Sequence, residues 1–140
     1  MSVEDNKAIA RRFIQVWSDE NLDTVEELAA PSLVVRYPTI PEVIRGSREF
    51  RHVLAGFRSA FPDSSLRVEE EIAEGEKVVI RWNFSGTHKG SLLGVPATGK
   101  KVSWTGMTIY RIVDGKVVEE QGEEDFLGFF RQVGLVREPV

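Results

Sequence analysis

The chain contains no cysteine, which excludes a disulfide framework, a thiolate nucleophile and a sulfur-rich metal site. Its only two histidines, His52 and His88, are too far apart in the sequence to form a metal-binding motif. It also lacks a dense lysine and arginine cluster and has a formal net charge of −4, so a nucleic-acid surface is not expected. No apolar run approaches the length of a membrane span, and the first residues do not resemble a signal peptide. We therefore expect a cytoplasmic protein that binds no metal, nucleic acid or membrane.

The residues that are present fit a single domain over residues 1–140. Hydrophobic residues make up 41% of the sequence, which is enough for one core. Apolar residues recur at helical intervals in the first half and alternate with polar residues in the second half, which indicates an antiparallel α+β domain. The predicted helices follow Ser2, either Asn21 or Asp23, Gly46 and Asp125. The predicted strands are Leu33–Tyr37, Leu66–Ala73, Lys77–His88, Lys101–Val113 and Lys116–Glu124.

One long loop, Gly86–Val102, joins two of the predicted strands. Loops of this length usually have a function, often at the mouth of a site. The strand before the loop alternates apolar and polar residues from Val78 to Phe84, and a period of two carries its apolar face on to His88. We therefore expect a titratable imidazole at the open end of a buried aromatic surface.

Within this loop, the pattern Gly86-Thr87-His88-Lys89-Gly90, followed by Gly94, Pro96 and Thr98-Gly99-Lys100, resembles the signature of the SnoaL-like polyketide cyclase and ester cyclase family. The resemblance extends over most of the chain. That family belongs to the cone-shaped domains similar to nuclear transport factor 2. The resemblance implies a curved antiparallel or mixed sheet wrapped by three helices of the N-terminal half and a short C-terminal helix. It also implies a cavity that takes a small apolar or aromatic molecule.

The residues that face this cavity depend on the last hairpin. If Val113–Gly115 is a three-residue loop, Thr108 opposes Glu120; if Asp114-Gly115 alone forms the turn, Ile109 opposes Glu120 and the face reverses. We favour the three-residue loop, because it groups the aromatic residues of this strand with the face that the resemblance assigns to the cavity. The predicted ligand-binding residues are Phe13, Trp17, Tyr37, Phe57, Phe61, Trp82, Phe84, Trp104, Thr108 and Tyr110.

The candidates for acid–base catalysis are His88, Glu120 and Glu124. Such catalysis needs titratable groups whose surroundings separate their proton affinities. The family resemblance implies that a polar residue on the last long strand moves a proton during intramolecular aldol closure, with neither metal nor cofactor. An aspartate found in similar sequences would fall at Gly122, so Glu120 or Glu124 would have to replace it here. No glycine-rich loop leads into a helix, so no phosphate-bearing cofactor is expected either.

Two functions remain open at this point. One is a cofactor-independent enzyme that acts on an apolar carbonyl compound, with His88 and Glu120 exchanging protons. The other is a noncatalytic ligand-binding or dimerisation module of the same fold, in which these side chains only satisfy local hydrogen bonds. In both cases we expect a homodimer, because this superfamily commonly pairs through an apolar patch on the outer face of its sheet. The patch would comprise Val79, Met107, Ile109 and Val117.

Overall fold

The computed structural model describes residues 2–19 and 21–137, and in this part of the chain four helices pack against one six-stranded sheet. The helices are α1 (Val3–Ile14), α2 (Asp23–Leu28), α3 (Ser47–Ala60) and α4 (Phe126–Gln132), and a 3-10 turn over Gln15–Trp17 extends α1. The strands are β1 (Ala29–Arg36), β2 (Ile44–Arg45), β3 (Ser65–Glu74), β4 (Lys77–Thr87), β5 (Lys101–Val113) and β6 (Lys116–Glu124). The α+β class is confirmed, and β2 is the only described strand that was not predicted.

Helix α1 begins where the sequence predicts, at Ser2. The Ser2 hydroxyl accepts a hydrogen bond from the Asp5 amide at 3.1 Å, and the Asp5 carboxylate accepts one from the Ser2 amide at 3.2 Å, which forms a capping box. Further along the helix, the Phe13 ring packs against the Phe50 ring of α3 and the Tyr110 ring of β5, with ring centroids 6.1 Å and 5.9 Å apart, respectively. Helix α1 is therefore packed between α3 and the concave face of the sheet.

The sheet is mixed, with strand order β2-β1-β6-β5-β4-β3. Strands β3 to β6 form the predicted antiparallel meander, whereas β1 pairs with β6 in parallel. Register shifts in β3 and β6 mark β-bulges, which bend the strands. None of the helices within residues 2–19 and 21–137 is long and apolar enough to cross a membrane.

The hairpin between β5 and β6 corrects the predicted register. Val113 lies opposite Lys116, so Asp114-Gly115 is a two-residue turn and the favoured three-residue loop is wrong. Both turn residues have positive φ, 50° at Asp114 and 76° at Gly115. This is the pattern of a type I′ turn, whose twist matches that of the flanking strands.

A bulge at Val118 then shifts the register once more. Beyond it, Tyr110 opposes Glu120 and Thr108 opposes Gly122. The extra residue reverses the faces of β6 a second time, because side chains alternate with a period of two. The polar and aromatic residues of β5 and β6 therefore share the concave face, as expected, although the predicted residue pairs are wrong.

The two-residue turn also changes the outer face of the sheet, because it places Val117 opposite the buried Ile112. Val117 is completely buried, so its predicted place in the outer apolar patch is wrong. Met107 and Ile109 lie on that face with exposed fractions of 52% and 41%, and Val79 between the neighbouring strands is half-buried. Ile72 on β3 extends the patch, with an exposed fraction of 61%.

Candidate functional site

An apolar cavity of about 290 Å³ lies between the helices and the concave face of the sheet. Its walls come from the end of α1, from α3, β4 and β5, and from the loop after β4. Seven of the ten predicted ligand-binding residues line it: Trp17, Tyr37, Phe57, Trp82, Phe84, Trp104 and Thr108. Aromatic walls with a few polar groups are typical of small-molecule sites.

The other three predicted residues, Phe13, Phe61 and Tyr110, are completely buried behind this lining. The cavity also has lining residues that were not predicted, namely Ile14, Thr39, Ile40, Val53, Gly56, Leu66, Ser91, Leu92, Leu93 and Phe126. Ser91, Leu92 and Leu93 belong to the loop that the sequence analysis singled out, so that loop was the available signal. Most of the remainder are apolar residues with the pattern of a core, and a cavity wall has the same composition as a core. The polar Thr39 and the exposed Gly56 gave no such signal.

Glu120 on β6 is a completely buried carboxyl group. Its Oε2 atom accepts hydrogen bonds from Trp17 Nε1 at 2.8 Å and from the Tyr37 hydroxyl at 2.5 Å. Burial raises the pKa of Glu120 to about 7, and the hydrogen bonds from Tyr37 and Trp17 oppose that rise only in part. Its Oε1 atom accepts no hydrogen bond of normal geometry from a described residue. Glu120 can therefore gain or lose a proton near neutral pH.

Tyr37 connects Glu120 with the cavity. Glu120 itself is not part of the lining, whereas Tyr37 is. The Tyr37 hydroxyl also lies 3.4 Å from Thr108 Oγ1, which accepts a hydrogen bond from Trp82 Nε1 at 3.0 Å. Burial and the charge of Glu120 raise the pKa of Tyr37 well above its usual value, so the phenol stays protonated at neutral pH. A polar path thus runs from the buried carboxyl to a hydroxyl in the cavity wall.

Gly122 makes room for the Tyr37 ring. A Cβ atom at position 122 would overlap Cε1 of Tyr37, so a larger residue would require the ring to move. From the sequence alone, Gly122 is only the position at which similar sequences have an aspartate. In the structure, the Tyr37 ring occupies the space that a side chain at 122 would need, and Glu120 reaches that ring from the same strand.

Glu124 is the carboxyl group that lines the cavity directly. Its Oε1 atom accepts a hydrogen bond from Trp104 Nε1 at 2.9 Å, and no other described residue donates to this carboxylate. Burial raises the pKa of Glu124 to about 7; the bond from Trp104 lowers it, while the charges of Glu120 and Glu123 raise it further. A carboxylate with these properties is a stronger base than an ordinary glutamate and is placed to contact a ligand.

His88 lies outside this cavity, so the structure does not bring it together with Glu120. Its Nδ1 atom is 3.0 Å from Thr98 Oγ1. Its ring packs against those of Phe61 and Phe129, with ring centroids 5.8 Å and 5.3 Å apart. The imidazole is completely buried, and its Nε2 atom has no hydrogen-bond partner among the described residues. Across residues 2–19 and 21–137, no group of three or more His, Cys, Asp or Glu residues is placed to hold a metal ion.

Comparisons with known proteins agree with this geometry. A family model described as SnoaL-like polyketide cyclase matches residues 7–133. The chain is 30% identical over 132 residues to the aklanonic acid methyl ester cyclase DnrD of Streptomyces peucetius, a match that covers 90% of this chain and 88% of that protein.

Solved structures show the same architecture. TsrD from Streptomyces laurentii superposes with a TM-score of 0.86 at 29% identity, over 97% of this chain and 99% of that one. A protein with a ketosteroid isomerase-like fold from Catenulispora acidiphila, in complex with trimethylamine, superposes with a TM-score of 0.77 at 15% identity, over 90% and 92% of the two chains. The second match concerns the fold alone. The predicted cone-shaped fold class is confirmed.

Proposed function

Because this chain belongs to the SnoaL-like polyketide cyclase family, we propose that it is an enzyme that closes a ring in an aromatic polyketide ester by intramolecular aldol addition. The observation that best supports this proposal is a pair of carboxyl groups at an aromatic cavity, the completely buried Glu120 and the partly buried Glu124, whose pKa values are both raised to about 7. The named activity of the Streptomyces peucetius relative suggests aklanonic acid methyl ester, or a similar ester, as the substrate. The reaction needs no metal or cofactor, because proton transfers alone drive it.

In the first step, Glu124 acts as the base. Its carboxylate removes a proton from a carbon atom activated by an adjacent carbonyl group, and the C–H electron pair becomes an enolate. Glu124 becomes a neutral carboxylic acid in this step. A pKa near the working pH keeps a useful fraction of the group charged while making it basic enough to react.

The second step forms the carbon–carbon bond. The enolate carbon attacks a second carbonyl carbon of the same molecule, and the electron pair of that C=O bond moves to oxygen. We assign the proton that this alkoxide takes to the Tyr37 hydroxyl, which is refilled by a protonated Glu120. Product and substrate are isomers, Glu124 has gained a proton and Glu120 has lost one, so proton exchange with water restores the starting state.

Glu124→Gln tests this proposal, with Glu123→Gln as the matched control because Glu123 is the exposed neighbour on the same strand. We expect kcat for ring closure of aklanonic acid methyl ester to fall roughly 10²–10⁴-fold in Glu124→Gln and to stay within twofold in Glu123→Gln. Equal activity in all three proteins would overturn the assignment of Glu124. Ligand binding without turnover in the unmodified protein would favour the noncatalytic binding module instead.

We also propose that the protein acts as a homodimer in the cytoplasm. The outer apolar patch supports the dimer, because Ile72 lies opposite Val79 and Val79 opposite Ile109, which gives a continuous apolar row across three strands. The lack of cysteine fits a reducing compartment. Sedimentation equilibrium tests the dimer: the unmodified protein should have twice the mass of the chain, and Ile109→Lys should have the monomer mass. A monomeric unmodified protein would contradict the proposal.

A further inference from the structure

The chain contains the same tight turn twice, with different residues at its first position. Leu92 and Val95 exchange backbone hydrogen bonds of 3.0 and 2.8 Å, so Leu93-Gly94 is a two-residue turn at the tip of the loop after β4. Its two residues have φ values of 51° and 78°, which nearly equal the 50° and 76° at Asp114-Gly115. Asparagine, aspartate and glycine are favoured at the first position of such a turn. A leucine there is strained, because its Cβ crowds the backbone.

Core packing does not explain this leucine. The Leu93 side chain has an exposed fraction of 43%, so little burial offsets the strain. Leu93 nevertheless lines the cavity. A residue that is both exposed and part of the lining lies at the cavity mouth. Backbone strain of this kind is typically found at positions that contact a ligand.

The loop holds its tip in a fixed place relative to the cavity. The amides of Lys89 and Gly90 donate to the Ala60 carbonyl at the end of α3, at 2.9 and 3.2 Å. At the other end of the loop, Thr98 Oγ1 lies 3.0 Å from His88 Nδ1. The buried histidine therefore fastens the two ends of the loop together. This gives Leu93 a defined position over the opening.

We propose that Leu93 is a specificity-determining residue that covers the outer ring of a bound polycyclic aromatic ketone. The ligand class rests on the proposed function, whereas the role of Leu93 rests on its conformation and position. A ligand that fills the cavity out to the mouth gains apolar contact with the leucine, and a ligand of one ring does not reach it. Contact with large ligands thus offsets the cost of an unfavourable turn residue.

The experiment compares Leu93→Asn with the reverse change at the matching turn, Asp114→Leu. The probes are 1-hydroxyanthraquinone and the one-ring ketone acetophenone. Binding is followed by quenching of tryptophan fluorescence, since Trp17, Trp82 and Trp104 all line the cavity. In Leu93→Asn, we expect Kd for the anthraquinone to rise roughly tenfold and Kd for acetophenone to stay within twofold. Its Tm should rise by about 2–5 °C, because Asn-Gly suits the turn.

Asp114→Leu should do the opposite, lowering Tm by a similar amount and leaving both Kd values unchanged. Leu93→Gly, which relieves the strain without adding a polar group, should match Leu93→Asn in both readouts. The proposal is overturned if the unmodified protein does not bind the anthraquinone, if Leu93→Asn binds it as well as the unmodified protein, or if either Leu93 variant loses stability. Neither readout involves turnover, so a failure of the aldol mechanism would leave these results intact.

Discussion

Glu120 and His88 are both completely buried, and each has one polar atom without a hydrogen-bond partner among the described residues. Their surroundings differ in one respect that matters for chemistry. Glu120 is joined through the Tyr37 hydroxyl to the wall of the cavity, whereas His88 is joined to Thr98 within a loop and packed between phenyl rings. The two buried groups therefore differ in whether a hydrogen-bond partner belongs to the cavity lining.

Glu120 and His88 are also expected to have different roles. The Glu120 region combines a carboxyl group of raised pKa with the hydroxyl of Tyr37, a residue of the cavity lining. The His88 region positions a loop whose tip lies at the mouth of the cavity. Substitutions in the first region should change the rate of reaction, and substitutions in the second should mainly change stability.

The largest expected effect is on turnover in Glu120→Gln. The amide accepts hydrogen bonds from Trp17 and Tyr37 but has no proton to give to Tyr37, so kcat in the ring-closure assay should fall roughly 10²–10⁴-fold. Glu120 does not line the cavity, so ligand affinity should stay within about threefold of its usual value. Fluorescence titration and initial rates on the same samples separate the two quantities. Unchanged turnover would remove Glu120 from the mechanism.

Next in size is Gly122→Ala, which tests whether the Tyr37 ring must lie over position 122. The added methyl group would overlap the ring, so the free energy of unfolding should fall by about 1–3 kcal/mol and kcat should fall at least tenfold. Urea denaturation and initial rates measure the two effects.

A double-mutant cycle shows whether Tyr37 is the cause. In a Tyr37→Ala background the same glycine substitution should cost much less stability, because the overlapping ring is gone. Equal costs in the two backgrounds would mean that Gly122 is required for another reason.

The pH dependence of the free energy of unfolding should also differ between the unmodified protein and Glu120→Gln. The pKa of Glu120 is about 7 in the folded state against a reference value of 4.5, so the folded protein binds more protons between these values. The stabilisation from this group is therefore full below about pH 4.5 and is lost as the pH rises through 7, by roughly 3 kcal/mol in total. Denaturation at pH 5 and pH 8 should show a smaller loss in Glu120→Gln than in the unmodified protein. The same loss in both would show that Glu120 has an ordinary pKa.

The smallest effect on turnover is expected for His88→Phe. The substitution keeps an aromatic ring beside Phe61 and Phe129 and removes the bond to Thr98, which should change the free energy of unfolding by about 1 kcal/mol. Because His88 does not line the cavity, kcat should stay within about twofold. A hundredfold fall in kcat with normal stability would show that His88 takes part in the reaction and would contradict the proposed difference between His88 and Glu120.

Much of the fold follows from local signals in the sequence. The Ser2 capping box and the alternation along β4 each act within a few residues, so they predict their elements closely. The turn residues Asp114-Gly115 left two loop lengths open, and the favoured one was wrong. The bulge at Val118 depends on how two strands and the core pack together, and no local pattern marks it. It decided which residues of β6 beyond it face inward, whereas Val117 precedes it and is buried because the two-residue turn places it opposite Ile112.

The site, like the fold, was predictable from the sequence only in part. Strand periodicity and the family resemblance place Trp82, Trp104 and Glu120 on the concave face. The separation of His88 from the cavity arises from rings of α3 and α4 that contact it, which is a long-range packing outcome. The fit of Tyr37 over Gly122 likewise joins residues far apart in the sequence, and a glycine in a strand gives only a general signal for a close approach.

The central claim is that two carboxyl groups at an aromatic cavity, Glu120 and Glu124, titrate near neutral pH. It is tested most directly by carbon NMR of protein labelled with ¹³C at the glutamate side-chain carboxyl, titrated from pH 4 to pH 9. We expect two resonances with apparent pKa values of about 7, one missing in Glu120→Gln and the other missing in Glu124→Gln. A spectrum in which every glutamate carboxyl titrates below pH 5.5 would contradict the account.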